Sequence, residues 1–477
     1  MPSAMKKALR SPVLRWEPAF TRQLFRLAVP IALQSVVTAS MQLVDNLMIG
    51  VLGDVPLAGV TQANRISFLF QVAMFGAISG ASIFVAQYWG RRDVAGVRRT
   101  QGIAMAFGLL VAAALGIPSI LMPESIMRLL ISSEEGVRAG AEYLGIIGVV
   151  YFVQSQSLIQ AAVLKSTEQV KLPMFASIAA ICTNVVFNTL LIYPTRDVQL
   201  LGLAFTMPGA GMGVRGGAYA TLVGACVELF LILFFSYRWH FANAARAREL
   251  LPGSSRAVRN FIAIALPVLL NEAVWASGTV MYSAVYGRIG DGVAASAAAG
   301  VFSNVEQLAS VAVRALSHAC GVMLGMSLGA GEPDKARLYA RRFLVASPLL
   351  AQAFTLCVIL PLAGPLISIF PVSAETARMA RQMIHVLCGG IWLNAFNTII
   401  IVSVLRTGGD VGAAAAIDVG SLWLIGVPAA CVAGLLLKWD IAFVYLATYL
   451  EQIFKAFVAL RRYRKGNWVR NIVREDA

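Results

Sequence analysis

Twelve segments of this chain are each long and apolar enough to cross a bilayer, and no other property narrows its fold as far. A spanning helix takes about 20 mostly apolar residues. Read between polar, charged or Gly/Pro-rich breaks, the first six candidates are Leu24–Gly50, Thr61–Tyr88, Thr100–Leu121, Gly140–Leu164, Pro173–Tyr193 and Gly213–Tyr237. The other six are Phe261–Tyr286, Val293–Leu328, Arg342–Ala363, Ala380–Leu405, Gly412–Leu437 and Ile441–Leu460. Hydrophobic residues make up 58% of the chain and charged ones 13%, against about 25% charged in soluble domains. So much apolar surface excludes an ordinary soluble enzyme and a disordered chain. Alternating strands of an outer-membrane barrel would read differently. The fold class is therefore an all-α polytopic membrane protein.

A net charge of +15 would point to nucleic acid in a soluble chain. Here its placement reads as topology. With the N-terminus inside, 28 of the 39 Lys and Arg residues, Arg406 among them, fall in cytoplasmic segments and 8 fall outside. Arg65, Arg314 and Lys455 lie within spans. This bias predicts both termini in the cytoplasm and needs no nucleic-acid partner. The first apolar segment follows a basic, polar stretch without a cleavage pattern and reads as a retained helix. Six cysteines in apolar segments form no CxxC pair, and His240, His318 and His385 are scattered. No metal site and no cofactor are expected.

The chain repeats. AVPIALQSVVTASMQLVDNLMIGVLGDVPLAG in the first half parallels ALPVLLNEAVWASGTVMYSAVYGRIGDGVAAS in the second. Pro30 matches Pro267, Gly50 Gly287, Gly53 Gly290 and Ala58 Ala295, all at one offset. Six spans per half make the repeats parallel, related by an axis along the membrane normal, as in transporters with a mid-membrane site between halves. The expected organisation is a cytoplasmic segment 1–23, a six-helix bundle 24–238, a linker 239–260, a second bundle 261–460 and a basic tail 461–477. A single chain of this kind encloses a pathway, so a monomer is expected.

Polar groups inside spans are costly and mark function by default. On the first helix Gln34, Thr38, Met41 or Gln42, and Asp45 recur at helical spacing as one stripe. The fifth helix carries Ser177, Asn184 and Asn188. The seventh carries Asn271, Trp275 and Tyr282 on one stripe with Glu272 beside it. The tenth offers Asn394 and Asn397, and the eleventh Asp418 with Ser421. Glu306 and Arg314 stand two turns apart on the eighth, too far for a direct pair. Glu228 and Glu451 lie nearer span ends and read as solvated or interfacial. Asp45 has a clear possible chemistry. Desolvation favours its neutral acid and a neighbouring cation its carboxylate, so it can exchange a proton, or sodium, for a cationic substrate. Asn184 and Asn188 supply amide oxygens for that coupling ion. Apolar and aromatic walls would hold the hydrocarbon body of the substrate.

LAVPIALQSVVTASMQLVDNLMIGVLGDVPLAGV (27–60), AQYWGRRDVAGVRR, VLKSTEQVKLPMFASIAAICTNVVFNTLLIY and VLRTGGD resemble the MATE (multidrug and toxic compound extrusion) family, bacterial type. The likeness covers nearly the whole chain. It implies twelve helices in two pseudo-symmetric six-helix bundles forming a V-shaped, alternating-access cavity in the cell inner membrane. It also implies export of small organic, often cationic, compounds against inward proton or sodium flow. Asp45 matches an important Asp of the first helix and Asn184 an Asn near it. Asn188 falls where many relatives carry Asp, which tips the expected coupling towards protons. Some relatives carry a Glu where Trp275 stands, and an Asp on the tenth helix near Asn394 and Asn397.

Two other functions are weighed. A flippase of lipid-linked precursors on the same superfamily fold would show several Arg or Lys in its cavity for pyrophosphate, yet the first-helix stripe is acidic. A membrane prenyltransferase would need Asp-rich motifs for magnesium, and no DDxxD sequence occurs.

Overall fold

Wherever the apolar segments meet a polar break, a helix ends and another begins. The structure, a computed structural model, describes residues 17–200, 203–290, 292–370 and 372–473, without the side chains of 39–44, 46, 47 and 197–205. Twelve long helices account for most of the described residues. They are α1 (Pro18–Gly50), α2 (Asp54–Gly90), α3 (Val94–Leu121), α4 (Glu134–Ser166), α5 (Lys171–Leu191) and α6 (Val214–Arg238), then α7 (Ser255–Tyr286), α8 (Val293–Gly329), α9 (Pro333–Ser368), α10 (Ala374–Leu405), α11 (Val411–Leu436) and α12 (Ile441–Arg464). Among the described residues, α2 to α12 are long and apolar enough to cross a membrane. Large apolar side chains such as Leu110, Leu424 and Phe457 stay 66–78% exposed, as a lipid-facing surface requires.

Each expected span coincides with one helix, but several helices start earlier. α9 begins at Pro333, where a proline is tolerated in the first turn and Asp334 meets the helix dipole. Ser133 caps α4 by accepting the Gly136 N–H at 3.2 Å, with Glu134 and Glu135 in the first turn. A short helix, Pro123–Leu130, precedes it. Between α5 and α6 lies an antiparallel hairpin of β1 (Pro194–Leu200) and β2 (Leu203–Ala210), which the apolar pattern does not reveal.

The repeat is visible in the helices. α1 and α7 carry the matched prolines, Pro30 and Pro267, inside 33- and 32-residue helices. The matched glycines Gly53 and Gly290 both take positive φ in the turn that follows, a conformation that glycine adopts at little cost. α2 and α8 are both 37 residues long and end on Gly90 and Gly329.

Contacts divide the chain into two units. One comprises Leu33–Val85 with Val94–Ile262, the other the described part of Met1–Ala32 with Ala86–Asp93 and Ala263–Ala477. In the first unit, the connection after α6 is tied down by buried amides. Gln101 donates to the Asn243 carbonyl at 3.0 Å, and Asn243 donates to Gln160 and Ser236 at 3.1 and 2.8 Å. Glu249 accepts the Arg246 N–H at 2.7 Å and pairs with Arg98 at 2.6 Å. The Arg246 backbone bond, with Arg98 beside it, holds the Glu249 carboxyl below the usual range. A lowered folded-state value contributes stability above the ordinary carboxylate range and loses it as pH falls through the lowered one. Limited proteolysis of 239–260 should therefore accelerate below about pH 4, and Glu249→Gln should cleave at the faster rate already at neutral pH.

In the second unit, Phe20 at the start of α1 packs edge-on against Phe343, and Glu17 pairs with buried Arg342 at 2.9 Å. The end of α2 packs closely on the end of α8, with one glycine on each helix facing the other's backbone. A Cβ on Gly90 would strike the Met326 carbonyl, and one on Gly329 the Gln87 carbonyl. The basic tail, as far as residue 473, is tied to this contact. Gln87 donates to the Thr407 carbonyl and accepts the Ile472 N–H, both at 3.0 Å, and Trp468 is buried on the Tyr463 ring. Gly329→Ala should destabilise the protein by about 1–3 kcal/mol through overpacking against backbone. Gly300→Ala on the same helix, where an added Cβ meets nothing, should be neutral or stabilising in the same thermal melt.

Candidate functional site

Each unit holds its own set of buried polar side chains. In the first, α1 and α5 run side by side in one direction. Gln34 donates to the Ser177 hydroxyl at 2.8 Å, and Asn188 donates to Asp45 Oδ1 at 2.6 Å. The two rungs share one sequence offset of 143, so the register between the helices holds over three turns. The Ser177 hydroxyl donates to Glu228 on α6. Glu228 therefore turns to a partner inside the unit, and the expectation of a solvated or interfacial group is corrected. Asn188 also donates to Asn184 Oδ1 at 2.8 Å, and Asn184 donates to Thr221 at 3.4 Å.

Asn184 and Asn188 are fully buried, while Asp45 is half-buried. Among the described residues, buried Asn188 Oδ1 has no hydrogen-bond partner. A buried unpaired acceptor is costly, and this one belongs to the amide that serves Asp45. Turned end for end, that amide would present an oxygen to a protonated Asp45, so it can serve both the carboxylate and the acid. Thr38 bonds to the Gln34 carbonyl of its own helix and is exposed. Met41 and Gln42 lie outside the described side chains.

The second unit contains an ion network that the sequence only half discloses. Glu272 accepts Arg406 at 3.1 Å, and Arg406 lies 3.7 Å from Asp418. Lys455 reaches Asp418 at 2.8 Å and Glu451 at 2.7 Å. Tyr282 donates to Glu451 at 2.8 Å, and Asn271 donates to Asp418 at 3.1 Å and Glu272 at 3.4 Å. Two expectations are corrected here. Arg406, read as a cytoplasmic loop charge, is 1% exposed, and Glu451, read as solvated or interfacial, is 3% exposed. A wide turn explains the first. At the end of α10 the Arg406 N–H bonds back five residues, to the Ile401 carbonyl, and that widened backbone carries the guanidinium inward. The i,i+4 spacing of Glu451 and Lys455 on α12 was the available signal for their pairing. Trp275 is 41% exposed. Asn394 Oδ1 accepts Thr398 of its own helix at 3.5 Å, and Asn397 donates to Gln452 at 2.9 Å. On α8, Glu306 accepts the Tyr445 hydroxyl at 3.5 Å and Arg314 donates to the Gln307 carbonyl at 2.9 Å.

Comparison with known proteins joins these observations. The MatE family profile matches residues 30–190 and 267–432. The chain belongs to the MatE family. It is a transporter and not an enzyme, and it spans the membrane many times. Among relatives, "Probable multidrug resistance protein YoeA" of Bacillus subtilis is 22% identical over 90% of each chain. "Probable multidrug resistance protein NorM" of Pseudomonas putida is 26% identical over 86% of each. The fold matches a crystal structure of MATE in complex with MaL6, with TM-score 0.83, 18% identity and coverage of 95% of this chain and 97% of that one. It also matches a Pyrococcus furiosus transporter of the MOP superfamily, with TM-score 0.79, 18% identity and the same coverage. That structure is described as having a binding pocket of reverse polarity that suggests a different function.

Proposed function

We propose that this MatE-family chain is a proton-coupled antiporter that exports small amphipathic organic compounds, cationic ones foremost, by alternating access. The observation that carries this reading is the contact of Asp45 with Asn188. One acid on a long apolar helix is served by an amide, and no salt bridge joins it among the described residues. Protonated, such a group is neutral and tolerated in the membrane; deprotonated, it attracts an organic cation. Each form excludes the other's ligand, which is the logic of exchange. A proton is favoured over sodium because Asn188 adds no second negative charge beside Asp45.

The relatives' names as multidrug resistance proteins support the substrate class. A shared fold alone does not decide function, so the charge of the site must. The flippase reading asks for basic groups that hold pyrophosphate. Arg406 and Lys455 are instead engaged by Glu272, Asp418 and Glu451. The basic excess further supports insertion in a bacterial inner membrane with both termini in the cytoplasm.

Transport of one fluorescent organic cation into proteoliposomes tests the proposal. A pH gradient should drive it, a protonophore should stop it and a sodium gradient should have no effect. Transport that requires sodium and persists after the pH gradient is collapsed would overturn the proton assignment.

A further inference from the structure

The two units treat their buried acids differently. Asp45 meets an amide at 2.6 Å. Asp418 and Glu451, on adjacent helices, meet one ammonium at 2.8 and 2.7 Å. We propose that Lys455 is a built-in cation that occupies the place between Asp418 and Glu451, so that the later unit takes up no metal cation there and ion exchange is left to the Asp45 side.

The geometry is that of a filled cation site. Both contacts have the length of charge-assisted hydrogen bonds. The remaining oxygens are also engaged: Glu451 Oε2 by the Tyr282 hydroxyl at 2.8 Å, and Asp418 Oδ2 by Asn271 at 3.1 Å. Lys455 and Glu451 are 5% and 3% exposed. An ammonium is a compact point charge with three donors on a flexible stem. It suits a gap between two carboxylates better than a planar guanidinium, and its tether keeps it there in any ionic medium. Counting Arg406 and Glu272, the network has three acids and two bases. The two fixed bases thus offset most of the acids' charge without a metal ion.

A purely structural role would be a weak reason to keep such a group. Buried ion pairs are often replaced by apolar side chains at no loss of stability. What an apolar replacement cannot do is keep two carboxylates on α11 and α12 from recruiting a cation from solution. Lys455→Gln should expose that demand, because it removes the charge and keeps a hydrogen-bonding side chain of similar reach.

The experiment measures the melting temperature of the purified full chain in sodium chloride and in choline chloride at equal ionic strength. Wild type should show no sodium-specific shift that depends on Asp418. Lys455→Gln should melt lower in choline and regain about 5 °C in sodium, and Lys455→Gln/Asp418→Asn should lose that gain. A sodium-specific shift in wild type that Asp418→Asn abolishes would overturn the proposal, as would a folded Lys455→Gln protein that ignores sodium. If Lys455→Gln cannot be purified, Lys455→Arg decides. It keeps a cation and should fold and ignore sodium, whereas stabilisation by sodium would overturn the proposal. The readout is independent of export. Any sodium response that vanishes with Asp45→Asn belongs to the other unit and bears on the antiport reading alone.

Discussion

Asp45→Asn is expected to reduce substrate-driven proton release in proteoliposomes to the level of empty vesicles, while leaving insertion and melting temperature close to wild type. The substitution keeps the shape of the side chain and removes its only titrating group. Its partner is an amide, so the contact to Asn188, 2.6 Å in the native protein, can be remade by turning one of the two amides. Little stability is lost when both partners of a buried bond stay satisfied. The variant resembles the neutral acid permanently and has no carboxylate to offer an organic cation. Asn188→Ala is expected to differ. It removes the amide but leaves the carboxylate, so proton exchange should persist with its pH dependence displaced. Proton release from Asp45→Asn at the native rate would show that the exchanging acid lies elsewhere.

The sequence made the architecture legible because lipid allows so few solutions. A backbone that must satisfy its own hydrogen bonds across the membrane forms helices, and their apolar lengths can be read directly. The matched Pro30/Pro267 and Gly53/Gly290 gave the repeat because each has a local backbone reason, a proline inside a helix or a positive φ in a turn. The two first-unit contacts also fit the sequence pattern, since Gln34 and Asp45 on one helix and Ser177 and Asn188 on another keep the same spacing. Sequence reading failed where a residue's position depends on packing. Arg406 follows an apolar run and precedes a Thr-Gly-Gly turn, so it looks like a loop charge. The widened turn at 399–405 and the carboxylates of Glu272 and Asp418 hold it inside. Glu228 and Glu451 look interfacial by distance from span ends, but facing helices supply Ser177 in one case and Tyr282 in the other. Hydropathy records how apolar a segment is and carries no information on which neighbour a polar group meets.

Arg406→Met is expected to cost about 3 kcal/mol of stability. The guanidinium is 1% exposed and lies between Glu272 at 3.1 Å and Asp418 at 3.7 Å. Deleting it leaves half-buried Glu272 without its ion-pair partner, whereas Asp418 still has Lys455 at 2.8 Å. The damage should therefore fall mainly on Glu272. That asymmetry has a consequence that separates an ion pair from generic packing. Arg406→Met/Glu272→Met removes both charges and should recover most of the loss, giving a coupling energy of about 2 kcal/mol or more between the two positions. Arg406→Met/Asp418→Met should recover much less, because it strands Lys455 on Glu451 alone. Arg406→Lys should fall between, since the shorter side chain keeps the charge but lacks the planar fork that reaches Glu272 at 3.1 Å and Asp418 at 3.7 Å. Equilibrium unfolding in a fixed detergent measures these four variants and the single Glu272→Met that closes the cycle. If the losses of Arg406→Met and Glu272→Met simply add, the two side chains do not act as a pair, and the arginine is held by shape alone.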